Sequence, residues 1–424
     1  LTGEALYLFS PASFAPRTTF TVGPGETLVL SDTFHDASSN TSVTFGPVRI
    51  RVTTGNAGDL AASVRTLRLQ DDGSSYGFSI PALSSANGLV AGTSGTLFLG
   101  ARPSEIAIFG LYTPVSADAT ATLVAPDGTV RDTRRFRMAP NSALEFNPAA
   151  SAFRADPEAG DTIRVAVASG TVQPYVNVFD PGTGDTAVSL PVRGDARIFS
   201  VLPHVARADA GTTTSVTDLF LANSDATRQT NVTISFFAAG APLPPTRLAN
   251  VVVPAGGSLA IADALAVLFP GGAEGAMTFE SDAPVAVSAR LASRRPEGDY
   301  AGFERAQSIG SDAILPATPA FSVGAPQTDT RQTDLVLFNG GEQHAAGSVT
   351  VTAYNAAGNP TGQATFGLAP GQVLRVPAVV TAVGGAGGPV GRIVVSSDIF
   401  IYAVTEQIDL ATGDIEIAPL LPFP

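Results

Sequence analysis

The chain has no cysteine, no tryptophan and no lysine, and only three histidines and two methionines in 424 residues. Without cysteine there are no disulfides, thiolate nucleophiles or cysteine-ligated zinc sites; the compartment stays open, since exported proteins also do without it. Without lysine, Schiff-base chemistry and lysine–asparagine cross-links are excluded. All 24 basic residues are arginine, which with the richness in Ala, Gly, Pro and Val reads as coding bias. The missing tryptophan removes the usual platform for stacking a sugar ring. His35, His204 and His344 occupy non-equivalent places and read as loop or surface residues, and no HExxH or GxSxG motif occurs. Charged residues are scarce at 14 %, with a net charge of −13 that is spread along the chain. Such a field repels phosphate backbones and anionic lipid, so nucleic acid is not an expected partner. No apolar run approaches the ~18 residues a spanning helix needs, so no membrane span is expected. The chain opens at Leu1 without a leader-like stretch, as expected of a mature or trimmed product.

What is abundant is strand and turn chemistry: 43 Gly and 32 Pro punctuate short alternating runs of Val, Thr, Ala and Phe. One pattern recurs four times, anchored by a turn between two apolar strands: TFTVGPGETLVL (19–30), RFRMAPNSALEF (135–146), NVVVPAGGSLAI (250–261) and TFGLAPGQVLRV (365–376). The turn prolines Pro24, Pro140, Pro254 and Pro370 are 116, 114 and 116 residues apart, too long a period for a solenoid and right for whole small domains. In the fourth copy, TDLVLFN (333–339), SVTVTAYNAAGNP (348–360), GRIVVSS (391–397), IFIYAVTEQ (399–407) and DIEIAPLL (414–421) carry turn signals every 8–12 residues. The fold predicted is all-β, a tandem array of four Ig-like antiparallel β-sandwiches: repeat 1 at 1–83, a linker at 84–104, and repeats 2, 3 and 4 at 105–205, 206–318 and 319–424. Leu/Ile-Pro pairs at Ile80-Pro81, Leu202-Pro203, Leu315-Pro316 and Leu421-Pro422 are read as closing signals.

The first copy enters late. Residues 6–30 align without a gap to 352–376, and nothing before them matches the opening strand TDLVLFN. Burying about three apolar side chains is worth roughly 5–9 kcal/mol, so an incomplete sandwich calls for a strand from elsewhere. Either the chain continues upstream, or the strand is donated. TLFLG (96–100), in the long link between the first two copies and without an evident counterpart at the other junctions, is the first candidate donor. It could instead begin the second domain. IEIAPLLPFP (415–424) is the second candidate. Leu97, Phe98 and Leu99 on the donor, and Leu6 and Leu8 on the expected open edge, which is the strand around Gly3–Ser10 or its sheet neighbour, are the predicted assembly residues.

Acidic turns recur near each final hairpin. Asp71, Asp72, Asp180 and Asp185 are candidate calcium ligands, with plain turn geometry as the simpler reading and no cofactor otherwise expected. Tyr7, Tyr112, Tyr354 and Tyr402 could stack on a sugar but are expected to be buried. No copy carries a long insertion that would elaborate a catalytic cleft.

TDLFLANS (217–224), TDLVLFNG (333–340), the VPAGGSLAI and LAPGQVLRV turns, DALAVLFPGG (263–272) and SDAPVAVSARL (281–291) resemble tandem Ig-like modules of bacterial secreted and cell-surface proteins, often found downstream of a catalytic domain. The resemblance implies fold and an extracellular or cell-surface location, and offers no active site to carry over. The expected function is non-catalytic and structural: a subunit of a surface fibre assembled by strand complementation, its partners being itself or cell-surface components. The alternative is a C-terminal binding or spacer arm of a larger secreted bacterial hydrolase.

Overall fold

The computed structural model describes residues 1–7, 17–30, 48–69, 75–82, 88–193, 198–210, 213–241, 245, 247–296, 298–305, 307, 313–322, 324–340 and 345–422. The chain is all-β and its named strand pairings are antiparallel. The first copy contributes β1 (Thr2–Tyr7), β2 (Arg17–Thr21), β3 (Val48–Thr54), β4 (Ser63–Leu69) and β5 (Ser75–Pro81). The second contributes β6 (Leu89–Val90), β7 (Ser94–Phe98), β8 (Ile106–Thr113), β9 (Ala117–Val124), β10 (Val130–Met138), β11 (Ser142–Phe146), β12 (Thr162–Ser169), β13 (Thr171–Phe179) and β14 (Thr186–Ser189). In the third are β15 (Phe199–Ala206), β16 (Ala208–Ala210), β17 (Thr213–Asn223), β18 (Thr230–Ala238), β19 (Arg247–Val253), β20 (Ser258–Ile261), β21 (Glu274–Ser281), β22 (Val285–Arg295) and β23 (Gly298–Arg305). The fourth holds β24 (Ala320–Phe321), β25 (Arg331–Phe338), β26 (Gly347–Asn355), β27 (Pro360–Leu368), β28 (Val373–Val376), β29 (Gly391–Ser397), β30 (Tyr402–Asp409), β31 (Ile415–Pro419) and β32 (Leu421–Pro422).

Two-residue alternation decides which face each strand buries. In β26, Val349, Val351 and Ala353 are buried while Thr350, Thr352 and Tyr354 are half-buried. One sheet of the second copy runs β10-β9-β12-β7 and the other β11-β8-β13-β14; we call these sheets I and II. The third copy repeats them as β19-β18-β21-β15 and β20-β17-β22-β23, the fourth as β27-β26-β29-β24 and β28-β25-β30-β31. Between each pair lies one core, holding for example Leu97, Leu111, Ile163 and Val176; Leu202, Leu219, Ile234 and Val287; and Leu335, Val351, Val395 and Ala403.

The second and third copies therefore begin ahead of the expected bounds at 105 and 206, with β6 and β7 and with β15. β7, β15 and β24 are equivalent strands of sheet I, pairing β12, β21 and β29. The stretch 84–104 holds β6 and β7 of the second copy, and Leu202-Pro203 lies inside β15, which opens the third. The TLFLG strand thus does have counterparts, contrary to expectation.

The copies close on each other instead of running out in a row. Sheet I of one copy packs on sheet II of the next: Phe98 and Val192 meet Phe220 and Ala286, and Val201, Phe237 and Ala276 meet Val336, Phe338 and Tyr402. The first copy touches both its neighbours. Arg49 donates to Asn141 Oδ1 (2.8 Å) on the second, and Thr27 N to the Ala356 carbonyl (2.9 Å) on the fourth. The last strands β5, β14, β23 and β31 sit side by side in the middle, each against two of the others.

Candidate assembly site

The opening strands of sheet II define the site. β8 lies between β11 and β13, β17 between β20 and β22, and β25 between β28 and β30. Their alternate side chains, Phe109 and Leu111, Leu219 and Leu221, Leu335 and Leu337, are fully buried. Polar residues pin the strand at both ends in the last two copies. Asp218 and Asp334 accept from the backbone N–H of Asp263 (2.8 Å) and Ala378 (2.9 Å), where the chain enters a short helix. The side-chain amides of Asn223 and Asn339 donate to the Pro254 carbonyl (3.1 Å) and the Leu368 carbonyl (3.3 Å) at the proline turn.

In the first copy the flanks of this position are built and the strand is not there among the described residues. β2-β1-β3 corresponds to β27-β26-β29, and the β4-β5 hairpin to β30-β31. The proline turn is in place: Gly23 N donates to Glu26 Oε2 (2.7 Å), as Ala369 N does to Gln372 Oε1 (2.8 Å). Beyond it, residues 27–30 occupy the place of β28 but join no strand pairing among the described residues. Leu28 and Leu30 are 46 % and 38 % exposed and Val64 of β4 is 39 % exposed, whereas Val376 and Ala403, the counterparts of Leu30 and Val64, are buried and Leu374, the counterpart of Leu28, is half-buried. Exposed apolar side chains on both of the segments equivalent to the flanks are what an absent strand leaves behind.

The predicted assembly residues are placed differently. β7 pairs β12 with Leu97 opposite Ile163. Leu97 and Leu99 are in the second core, and Phe98 faces the third copy with its ring 5.5 Å from that of Phe220. A strand so committed is no free donor, because withdrawing it would empty two apolar faces at once. The second candidate is committed too: β31 pairs β30 and β32 pairs β24. Nor is the strand around Gly3–Ser10 an open edge. β1 is the middle strand of its sheet, with Leu6 half-buried opposite Arg17 and Arg49. The lost strand belongs to the other sheet, so the open flanks are 27–30 and β4. Leu8, Asp71, Asp72, His35 and His344 lie outside the described residues.

Asp180 and Asp185 are buried in a turn that accepts from main-chain N–H groups. Asp180 takes Gly182 N (2.8 Å) and Asp299 N (3.1 Å), and Asp185 Oδ2 takes Ala301 N (2.7 Å) from the third copy. The equivalent turn of the fourth copy sends Asp414 Oδ2 to Gly77 N of the first (3.0 Å). Both turns read Asp-x-x-Thr-Gly-Asp (180–185 and 409–414), a signal sequence reasoning missed. Beside them Arg65 Nε lies 2.8 Å from Glu416 Oε2. Burial pushes the Asp185 and Glu416 carboxyls up to about 7. Asp414 is held well above the carboxylate range by burial and by the charge of Asp185. Among the described residues no group of three or more histidine or acidic side chains is arranged to hold a metal ion.

His204, expected at the surface, is buried where β15 meets the fourth copy, bonded to Glu406 and 3.3 Å from Glu274. Burial opposes its charge, but Glu406 and Glu274 outweigh it and carry the ring pKa up to about 9. Of the four tyrosines, Tyr7 and Tyr402 are buried and Tyr112 and Tyr354 half-buried.

No family model matches the chain, and no curated protein matches it. Among solved structures it is similar to the crystal structure of dimeric latent PorU from Porphyromonas gingivalis, at 10 % identity and a TM-score of 0.15, covering 78 % of this chain and 32 % of that one. The chain thus spans about a third of that protein's length, and so low a TM-score carries no argument.

Proposed function

We propose that the chain is a non-catalytic extracellular structural protein of four Ig-like sandwich units, a subunit of a surface fibre joined by strand complementation at the first unit. The observation that carries this reading is the strand position flanked by 27–30 and β4, lined by Leu28, Leu30 and Val64, which none of the described residues fills. Three copies of the same position in the same chain bury two large apolar side chains each. A head-to-tail contact through such a position builds an open filament when its rotation does not close. Electron microscopy of the native material is expected to show filaments, and Leu28→Asp with Val64→Asp to abolish them. Both residues are exposed in the lone chain, so its melting temperature should hardly change. Filaments in the double variant would refute the reading.

One observation favours a second reading, a spacer or binding arm of a larger secreted hydrolase. In the third and fourth copies the opening strand directly precedes the equivalent of β1 in the chain, so a segment attached ahead of Leu1 could fill the position. A chain extended at that end by its own upstream sequence would then stay monomeric.

A further inference from the structure

The same position also specifies its occupant, and the inference rests on the assembly reading just given. We infer that the first copy binds an extended segment of another polypeptide chain with the pattern Asp-Leu-x-Leu-x-Asn, in one fixed register. The pattern comes from an interface the chain already builds: Asp218-Leu219-x-Leu221-x-Asn223 and Asp334-Leu335-x-Leu337-x-Asn339 fill the equivalent position, and Phe109-x-Leu111 does so in the second copy. The register follows from the paired strands. Leu337 stands opposite Leu374 and Ala403, and Leu335 opposite Val376 and Thr405. Aligning the proline turns puts Leu28 at Leu374 and Leu30 at Val376. Aligning the hairpins puts Val64 at Ala403 and Thr66 at Thr405. The second leucine of the segment therefore sits over Leu28 and Val64, the first over Leu30 and Thr66.

Its Asn end has a partner among the described residues. Gly371 N donates to the Asn339 carbonyl (2.8 Å) and Asn339 N to the Gln372 carbonyl (3.0 Å); Gly25 and Glu26 hold those places in the first copy. The alternate residues of the segment face the fourth copy, where Thr27 N already bonds the Ala356 carbonyl and Arg392 lies over the Tyr354 ring. That surface is polar, unlike the apolar ones met by Phe220 and by Val336 and Phe338. The segment thus needs large apolar residues on one face only, and its docking completes a sheet and a junction together.

The probe is a synthetic peptide with the sequence of residues 331–340, added to the full chain and followed by calorimetry. Saturable one-to-one binding is expected, weakened about tenfold or more when either peptide leucine becomes Asp, as the loss of one buried leucine implies. Because the chain has no cysteine, register can be read by disulfide formation. Leu28→Cys should cross-link to a peptide carrying Cys in place of Leu337, and not to one carrying it in place of Val336, whose side chain points to the opposite face. No binding, binding indifferent to the Asp changes, or equal cross-linking of the two peptides overturns the inference. Filaments formed without peptide binding overturn it and leave the assembly reading standing; peptide binding without filaments does the reverse.

Discussion

At the scale of single residues, the informative groups are buried charges, which composition does not foretell in a chain so poor in charge. His204 is one of three histidines with no motif around it; the pairing of β15 with β21 brings Glu274 to it, and the packing of β15 on the fourth copy brings Glu406. Removing the ring by His204→Ala takes one of two charged partners from buried Glu406, leaving Arg375 at 3.1 Å, and is expected to cost ~1–3 kcal/mol in denaturant unfolding. Titration has a definite sign. Asp185 and Glu416 titrate near 7 when folded and near ~4 when unfolded. The folded chain holds more protons between those values, and stability falls as pH rises through 7. His204, at about 9 folded against an ordinary 6.5, extends the loss to higher pH. Glu274 and Glu406, held low by His204, act the other way only below the ordinary carboxylate range. The melting temperature should therefore drop from pH 5 to pH 9, and Glu416→Gln should flatten that slope; a temperature that rises over this interval contradicts the assignment.

At the scale of elements, the strands themselves were legible, because two-residue alternation and the four proline turns are local signals. The grouping of strands was not. β7 reads as an orphan in a linker because its counterparts β15 and β24 share no residues with it beyond apolar character; their equivalence lies in pairing with β12, β21 and β29. Leu97 consequently tests the second copy and not the first: Leu97→Ala should cost ~2–5 kcal/mol in chemical unfolding through the cavity it leaves, with the 1–82 region untouched in hydrogen exchange. The tips of the β9-β10 and β26-β27 hairpins are equivalent joints. Gly128 (φ +89°) and Gly358 (φ +78°) sit there, and an added Cβ would lie 2.1 Å from the Ala255 carbonyl oxygen and 2.5 Å from that of Gly25. Alanine at either is expected to cost ~1–3 kcal/mol. Only Gly358→Ala should speed proteolysis within the first copy, since that joint holds it to the fourth.

At the scale of the whole molecule, a period of about 115 residues gives no sign that the last copy returns to the first. Closure depends on contacts between the faces of sheets, such as Gly77 with Asp414 and Arg65 with Glu416, residues more than 300 positions apart. No local pattern encodes these. Residues 1–30 carry no match to the opening strand, and none of the described residues occupies its position; what the sequence misplaced was the sheet to which that position belongs. The most direct test is hydrogen exchange along β4, Ser63–Leu69, in the lone chain and in the assembled material. The half of its amides on the edge away from β5 should exchange fast in the lone chain and slow by roughly a hundredfold on assembly. Protection that is already complete in the lone chain, or unchanged on assembly, would contradict an open strand position filled by another chain.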